Sequence, residues 1–236
     1  MHKTIGILGG MSPESTAVYY QYITRAYTQR YGDHGYPAII IYSVSFQPYI
    51  DWPGQGRWDL VAEGLSEAAN KLQAAGADFI VIATNTMHIV FDEVQSRVGI
   101  PMLSLLDAVG DAILAQGISV VGLLGTSFTM EKPFYRQALS SKGISVVTPE
   151  PDDRHYVNHV IYDELVMGET RSESRAGFKE IIGKLADRGA QGIILGCTEI
   201  PLLVSEDDVG MPLFDTTAIH AQAALDYAVC RPDERG

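Results

Sequence analysis

The chain has 236 residues, enough for one large or two small domains. Its formal net charge of −12 argues against nucleic acid and anionic membranes as partners, although a local cluster of backbone N–H groups could still bind a small anion. The two cysteines, Cys197 and Cys230, indicate no disulfide framework or metal cluster, and the first apolar run is too short for a signal peptide or a membrane span, so we expect a cytoplasmic protein.

The beginning of the chain predicts a strand, a tight turn and a helix. Residues 4–8 form an apolar run, a Gly-Gly pair follows, and Ser12 with Pro13 is suited to begin a helix. The turn has neither Gly-x-Gly-x-x-Gly nor Gly-Lys-Ser/Thr, so it does not predict a nucleotide site. An anion site at the helix N-terminus stays open, with Gly10, Met11 and Ser12 in the turn itself.

A second predicted strand, residues 38–44, leads into a segment rich in proline, glycine and tryptophan. Residues 45–58 predict a long loop, which either covers a binding site or packs its tryptophans on its own base. Residues 60–75 have helical spacing, and residues 79–83 predict the strand that ends at Thr84.

The second half of the chain repeats the layout of the first. Three matches occur in the same order: residues 5–10 with 121–126, residues 77–86 with 190–199, and residues 100–103 with 211–214. In this register Thr84 falls on Cys197. Three ordered matches predict an α/β fold with two pseudo-symmetric domains, each a parallel sheet flanked by helices. We place the N-terminal domain at residues 1–99 plus 211–236 and the C-terminal domain at residues 100–210.

The remaining elements follow from apolar runs and helical spacing. Further strands are predicted around residues 102–105, 119–124, 144–147 and 192–195, and further helices around residues 88–94, 109–114, 154–167, 173–188 and 217–229. The tail, residues 231–236, is polar and is expected to be loose.

Polar side chains follow corresponding strands of the two predicted sheets. Because ligands of open α/β sheets bind past the carboxyl ends of the strands, we expect Thr84 and Cys197 to face each other across a small ligand. Asn85, Thr86 and Thr198 would lie at helix N-termini, which suit a carboxylate and lower the pKa of a thiol. Two acid/base groups on opposite sides of one carbon are what proton abstraction with inversion requires. The alternative is that the cysteine is a small core residue.

Three motifs resemble the aspartate/glutamate racemase family, and the match spans nearly the whole chain: Gly6 to Thr16, Thr84 to His88, and Gly196 to Ile200. The resemblance implies a cofactor-independent racemase in which two facing cysteines are the bases, commonly as a homodimer. The sequence Gly-Cys-Thr-Glu is similar to the aspartate and broad-specificity amino-acid racemases. Glutamate racemases typically have histidine in place of Glu199, and Asp-Ser in place of Gly10-Met11.

The chain departs from this family at the first catalytic cysteine, which is Thr84 here. A similar subgroup with threonine is described as racemising aspartate or glutamate with a preference for the L-form, so by analogy Cys197 would act on the L-face. A hydroxyl is a poor base unless it is activated. His88, four residues on, is either a candidate activator or a structural histidine.

A second departure concerns the side-chain carboxylate of the substrate. Some aspartate racemases bind it with an arginine from the long loop and a lysine from the second domain. Here residues 47–56 contain no arginine, and the second position reads Leu165-Val166-Met167. Arg57 is the nearest basic candidate.

We therefore predict racemisation of an amino acid, aspartate and/or glutamate, by transfer of the α-proton between Cys197 and Thr84. The expected substrate-binding residues are Gly10, Met11, Ser12, Asn85, Thr86, Thr126, Thr198 and Glu199. No organic cofactor or metal is expected, because no lysine follows either strand end and the six histidines are scattered. Two alternatives stay open: a one-cysteine decarboxylase of the same fold, and a non-catalytic binder of acidic amino acids.

Overall fold

The computed structural model describes residues 2–230, which fall into two compact units. Within the described residues, the first unit comprises residues 2–105 with 217–230, and the second comprises residues 106–216. The predicted loose tail, residues 231–236, lies outside the described residues.

The described chain contains two parallel sheets and the helices that flank them. The strands are β1 (Ile5–Gly9), β2 (Ile39–Ser43), β3 (Phe79–Ile82), β4 (Met102–Leu103), β5 (Val120–Leu124), β6 (Ser145–Val147), β7 (Ile193–Leu195) and β8 (Leu213–Asp215). The α-helices are α1 (Pro13–Tyr31), α2 (Gln47–Gly54), α3 (Trp58–Ala74), α4 (Phe91–Gln95), α5 (Leu105–Ala115), α6 (Ser127–Glu131), α7 (Phe134–Ser141), α8 (Pro151–Asp163), α9 (Ser172–Asp187), α10 (Glu206–Val209) and α11 (Thr216–Val229). Short 3-10 helices occur at Thr86–Val90, Leu165–Met167 and Ile200–Leu202.

The two sheets have the same strand order, which confirms the α/β fold predicted from the internal repeat. The first sheet is ordered β2-β1-β3-β4 and the second β6-β5-β7-β8, with every pair parallel. Their central pairs are equivalent, because Leu8 of β1 lies opposite Ile82 of β3, and Leu124 of β5 lies opposite Leu195 of β7. The matched sequences therefore occupy matched positions in the two sheets.

The two central strands of the first sheet, β1 and β3, are buried on both faces, as their continuous apolar sequences predict, whereas the edge strand β2 is only partly buried. Ile5 and Ile7 pack with Tyr19 of α1 and with Ala224 and Leu225 of α11 on one face. The alternate residues of the same strands, such as Leu8 and Ile82, pack against α3 on the other face.

The second sheet is covered in the same way. Leu124, Ile193 and Leu195 form one cluster with residues of α8 and α9, including Ile161 and Phe178. No helix in the described part of the chain is long and apolar enough to cross a bilayer.

The unit boundaries differ from the predicted ones by six residues on each side of the second unit. The structure divides the chain at 105/106 and 216/217, whereas the sequence suggested 99/100 and 210/211. Residues 102–103 form β4, which pairs with β3 and so belongs to the first sheet. Residues 213–215 form β8, which pairs with β7 and so belongs to the second sheet. Each unit keeps the last short strand of its own repeat, which the predicted boundaries had exchanged.

The predicted loop at residues 45–58 is instead mostly the helix α2. Its aromatic side chains pack on the core of the first unit: Tyr49 is buried, and its ring lies 5.2 Å from that of Trp52. Pro48 falls at the start of the helix, where proline is compatible with helical geometry, and Gly54 at its end. Trp52 and Trp58 are partly buried against the same core cluster.

Candidate active site

The central strand pair of each sheet brings two polar chain segments to one edge. Since Leu8 lies opposite Ile82, Gly10 and Thr84 follow neighbouring strands at the carboxyl edge of the first sheet. In the second sheet, Thr126 and Cys197 follow β5 and β7 in the same way. Thr84 and Cys197 each lie two residues past the end of their strand. The two positions are therefore structurally equivalent within their units.

The turn after β1 requires glycine at position 10. Gly10 has a φ of 95°, and a Cβ atom there would lie 2.4 Å from the carbonyl oxygen of Val44. The N–H of Gly10 donates to Oγ1 of Thr16, at 2.8 Å, so the turn is fixed from the first helix. The peptide bond between Met11 and Ser12 is cis.

The next two candidate ligands have structural contacts of their own. Met11 is 4% exposed and belongs to the hydrophobic core of the first unit, so its side chain is a packing element. Oγ of Ser12 accepts the N–H of Ser15 at 3.2 Å and caps α1. The side chains of Met11 and Ser12 thus hold the turn in place.

Three successive backbone carbonyls at the exit of β3 each accept a hydrogen bond. The N–H of Thr84 donates to the carbonyl of Ile82 at 2.9 Å, and Oγ of Ser15 donates to the carbonyl of Ala83 at 2.8 Å. The carbonyl of Thr84 accepts from Nδ1 of His88 at 2.9 Å. Thr84 itself is half-buried. Within residues 2–230, no hydrogen bond reaches the Thr84 hydroxyl.

His88 does not contact the Thr84 hydroxyl, so the candidate activating role is wrong in this structure. Its Nε2 lies 3.1 Å from the N–H of Leu105, which can only donate. Nε2 must therefore accept, and the ring proton is on Nδ1, where it donates to the carbonyl of Thr84. Both ring nitrogens of the neutral imidazole are occupied by backbone groups.

The residues after Thr84 begin a helix of a different kind from the expected one. Residues Thr86–Val90 form a single 3-10 segment, which continues into the short helix α4. Asn85 is buried and precedes this segment, while Thr86 is half-buried. A helix N-terminus of this length has a weak dipole, so the Asn85 and Thr86 side chains matter more here than the helix end.

The thiol of Cys197 is hydrogen-bonded to a carboxylate. Its Sγ donates to Oε2 of Glu199 at 2.9 Å, and the Thr198 hydroxyl donates to the same oxygen at 2.7 Å. Only a three-residue 3-10 helix, Ile200–Leu202, follows. The thiol, the hydroxyl and the carboxylate form one compact cluster at the carboxyl edge of the second sheet.

The environment of Cys197 holds the thiol in its protonated form, contrary to the expectation from the sequence. Burial and the neighbouring Glu199 carboxylate raise the pKa of the Cys197 thiol well above its usual value. The backbone N–H groups of Thr198 and Glu199 act in the opposite direction and lower that pKa. The expected helix end is replaced by one turn, and its small positive potential does not outweigh burial and a nearby negative charge.

Tyr162 is a residue near this cluster that the sequence did not single out. Partial desolvation of its phenol, and then the nearby Cys197 and Glu199 groups, raise the pKa of Tyr162, although 53% of the residue is exposed. Tyr162 lies one helical turn after Asn158 on α8, and the Asn158 side chain accepts the N–H of Ser127 at 2.9 Å. The i, i+4 spacing of these two polar residues is the signal that could have indicated a shared face toward the strand ends.

Thr126 lies at the start of α6, directly after β5. Its hydroxyl is 3.3 Å from that of Thr129, and the residue is half-buried. Gly125, just before it, packs closely on the other strand end, since a Cβ there would lie 3.2 Å from the carbonyl of Gly196. Thr126 is thus held beside the Cys197 segment.

The basic candidate for a side-chain carboxylate is already paired. Arg57 donates to both carboxylate oxygens of Asp59, with the shortest N–O distance at 2.7 Å, and both side chains are about half exposed. Val166 and Met167, in the second segment considered for this role, are exposed. Within residues 2–230 no group of three His, Cys, Asp or Glu side chains is arranged to hold a metal.

In open parallel α/β sheets small ligands bind past the carboxyl ends of the strands, which is where this chain has its thiol. The chain belongs to the Asp/Glu/Hydantoin racemase family, whose sequence profile matches residues 8–224. The matched region contains Gly10, Thr84 and Cys197.

Individual relatives support this assignment over nearly the full length. The chain is 26% identical, over 94% of its length and 96% of the relative's, to the broad specificity amino-acid racemase RacX of Bacillus subtilis. It is 47% identical, with a TM-score of 0.92, to the crystal structure of a candidate Asp/Glu racemase from Yersinia pestis, covering 97% of this chain and 100% of that one. An aspartate racemase homologue from Pyrococcus horikoshii is 38% identical, with a TM-score of 0.84, covering 96% and 99% of the two chains. These names are consistent with an isomerase that acts on amino acids.

Proposed function

We propose that the protein racemises an amino acid, aspartate and/or glutamate, without an organic cofactor, by moving the α-proton between Cys197 and Thr84. The observation that carries the proposal is the equivalence of the two positions, each two residues past the end of the third strand of its sheet. One position has a thiol and the other a hydroxyl. Facing each other across a ligand, they would supply one proton-transfer group for each face of the α-carbon.

On the Cys197 side, Glu199 is the proton acceptor that makes the thiol a base. The thiol proton is already directed at Oε2 of Glu199, so its transfer yields a thiolate and a neutral carboxylic acid. The thiolate then takes the α-proton from the L-face of the substrate, and an electron pair remains on the α-carbon. The hydroxyl of Thr198, a predicted substrate-binding residue, donates to Glu199 and steadies that carboxylate.

On the Thr84 side, the hydroxyl donates its proton to the opposite face of the carbanion and is left as an alkoxide, which regains a proton from water. The hydroxide formed in this step removes the proton held on Glu199, so that both groups return to their starting states. In the reverse direction the hydroxyl must lose its proton first. With no activating group on the hydroxyl among the described residues, that step is slow. The two directions therefore differ in kcat, while the equilibrium between the enantiomers fixes the ratio of the two kcat/KM values.

Substrate binding is assigned to the polar groups at the two strand edges. Asn85, Thr86, Thr126 and the turn that follows Gly10 would supply hydroxyl, amide and backbone N–H donors, which suit carboxylates. The preference for an acidic amino acid rests on the names of the relatives and on the family motifs. A homodimer in the cytoplasm is part of the same proposal, by family resemblance.

The test is exchange of the α-hydrogen in heavy water, with L- and D-aspartate, L- and D-glutamate, and a panel of neutral amino acids. Wild type should exchange and invert at least one acidic amino acid. Cys197→Ser should lose nearly all exchange and still fold, because the substitution barely changes the side-chain volume. Cys230→Ser is the matched control, since it removes the other thiol, and it should keep its activity.

The two alternatives predict different results in the same experiment. A one-cysteine decarboxylase would release carbon dioxide from an arylmalonate-type diacid, although the polar Asn85 and Glu199 suit such an apolar substrate poorly. A non-catalytic binder would bind an acidic amino acid without exchanging its α-hydrogen. Undiminished exchange by Cys197→Ser would contradict the assignment of the thiol.

A further inference from the structure

The first unit contains a buried pair of histidines that takes no part in the proton transfers described above. His88 is 4% exposed and His220 is fully buried, and their ring centroids are 5.8 Å apart in an edge-to-face arrangement. Both rings use their nitrogens for polar contacts to the protein. Buried polar groups with such specific partners fix local geometry, and here one of the partners is Thr84.

His88 occupies a fixed position behind the exit of β3. Its ring stacks on Phe91, with centroids 5.3 Å apart and an interplanar angle of 5°. Its Nε2 accepts the N–H of Leu105 at 3.1 Å, which sets the tautomer, and its Nδ1–H then donates to the carbonyl of Thr84 at 2.9 Å. The imidazole therefore joins the end of the third strand to the start of α5.

The Thr84 backbone is held at both of its polar groups. The N–H is bonded to the carbonyl of Ile82, and the carbonyl is bonded to His88. Together these bonds restrict the two backbone dihedrals of Thr84, and so the direction of the Cα–Cβ bond that carries the hydroxyl. For a weak base such as a hydroxyl, a small displacement lowers the rate of proton transfer strongly, because that rate depends steeply on distance and angle.

The equivalent position in the second unit has no such side chain. Four residues after Cys197 the chain has Pro201, and the carbonyl of Cys197 accepts only a long bond, 3.4 Å, from the N–H of Ile200. Among the described residues, a side-chain hydrogen bond to the carbonyl of the candidate base is therefore found in the first unit, which has the hydroxyl, and not in the second.

We propose that His88 is a positioning residue for Thr84: it holds the backbone of the second base in place and leaves the chemistry of the hydroxyl unchanged. The inference rests on the proposed racemase function. It predicts that loss of His88 slows proton transfer at Thr84 and leaves proton transfer at Cys197 unchanged. A general loss of folding would lower both sides equally, so the ratio of α-hydrogen exchange to inversion separates the two explanations.

The experiment measures exchange and inversion of the same L-substrate in heavy water. His88→Ala should lower inversion about tenfold to a hundredfold, while exchange from the Cys197 side stays near the wild-type rate. His220→Gln is the matched control: it removes the other buried imidazole, which bonds Tyr19 and Leu103 rather than Thr84, and it should leave the ratio unchanged.

Two isosteric variants keep the test decisive if His88→Ala does not fold. Asparagine places its amide nitrogen near the position of Nδ1, so His88→Asn can keep the bond to Thr84 and lose the one to Leu105. Glutamine places its oxygen near the position of Nε2, so His88→Gln can keep the bond to Leu105 alone. We expect inversion to be retained in His88→Asn and lost in His88→Gln.

The opposite order, or an equal loss of exchange and inversion in every His88 variant, would overturn the positioning role. Failure of the proposed function has a different signature, since wild type itself would then show no Cys197-dependent exchange with any amino acid. In that event the inference falls with it.

Discussion

The thiol of Cys197 and the carboxylate of Glu199 share a hydrogen bond of 2.9 Å, with the sulfur as donor. A thiol that is to act as a base must first lose its proton, and the neighbouring carboxylate both disfavours the thiolate and offers a place for that proton. The thiol and the carboxylate therefore form one hydrogen-bonded acid/base unit.

This relationship predicts opposite effects of Glu199→Gln on the thiol and on the reaction. Without the carboxylate, the pKa of Cys197 should fall, since the charge and the side-chain hydrogen bond that raise it are gone and only burial remains. Alkylation of Cys197 should then begin at lower pH than in wild type. Exchange of the α-hydrogen should decrease about a hundredfold, because the proton acceptor is lost.

The measurement is the pH dependence of iodoacetamide alkylation in a Cys230→Ser background, beside the exchange rate. Thr198→Val is the control, because it removes the other donor to Oε2 and keeps the negative charge. A thiol that titrates at the same pH with and without the carboxylate would contradict the coupling.

A second prediction concerns the asymmetry between the two bases. Thr84→Cys should raise kcat from the D-enantiomer about a hundredfold, because a thiol loses its proton far more readily than a hydroxyl. The same variant should also bring the rate of α-hydrogen exchange and the rate of inversion of the L-substrate closer together. Thr84→Ser keeps the hydroxyl and serves as the control, with the asymmetry preserved. Equal kcat values from both enantiomers in wild type would show that Thr84 is not the weaker base.

A third prediction follows from the buried His220. Burial and then the nearby His88 lower the pKa of His220 from 6.5 to about 3, against a smaller opposing effect of its bond to the Leu103 carbonyl. Between these two values the unfolded chain binds a proton that the folded chain does not. The free energy of unfolding should therefore decrease by about 1.4 kcal/mol for each pH unit below 6.5, on account of this residue alone.

The comparison is urea unfolding of wild type and His220→Gln at pH 7 and pH 5. The glutamine can still donate to the carbonyl of Leu103, but it does not titrate, so its loss of stability on acidification should be smaller. Parallel pH profiles would mean that the imidazole is already protonated in the folded state.

A fourth prediction uses two glycines with positive φ angles. Gly32→Ala should destabilise the fold by about 1 kcal/mol, because a Cβ there meets no atom within 4 Å and only the left-handed conformation opposes it. Gly10→Ala should cost more than about 3 kcal/mol, since its Cβ would lie 2.4 Å from the Val44 carbonyl oxygen. Similar free energies of unfolding for the two variants would mean that the turn relaxes.

Most of the sheet architecture was predictable because parallel strands leave a simple signal. Buried strands such as β3 are continuous apolar runs, and the repeat of residues 77–86 at 190–199 gave the register of Thr84 and Cys197. The strand order then followed for the second sheet once it was known for the first. The short strands β4 and β8 carry too few residues to show which sheet they join, which is why the unit boundaries were misplaced.

The details of the site depended on contacts that no local pattern records. The motif around Cys197 gave its position, but the effect of Glu199 on the thiol depends on a side-chain rotamer. Similarly, the spacing of His88 and Thr84 suggested contact, and the structure alone shows that it involves the carbonyl. The helix α2 was missed because its prolines and glycine are also typical of loops, although Pro48 stands where a helix tolerates it.

The return of the chain to its first unit has a consequence for synthesis on the ribosome. Ala224 and Leu225 of α11 cover Ile5 and Ile7, and the N–H of Lys3 donates to the carbonyl of Ala228 at 3.0 Å. One face of the first sheet therefore stays uncovered until the last helix has been translated, more than two hundred residues after the strand it protects. The nascent N-terminal segment carries an exposed apolar sheet face for most of translation, whereas residues 106–216 are contiguous and can close their own core first.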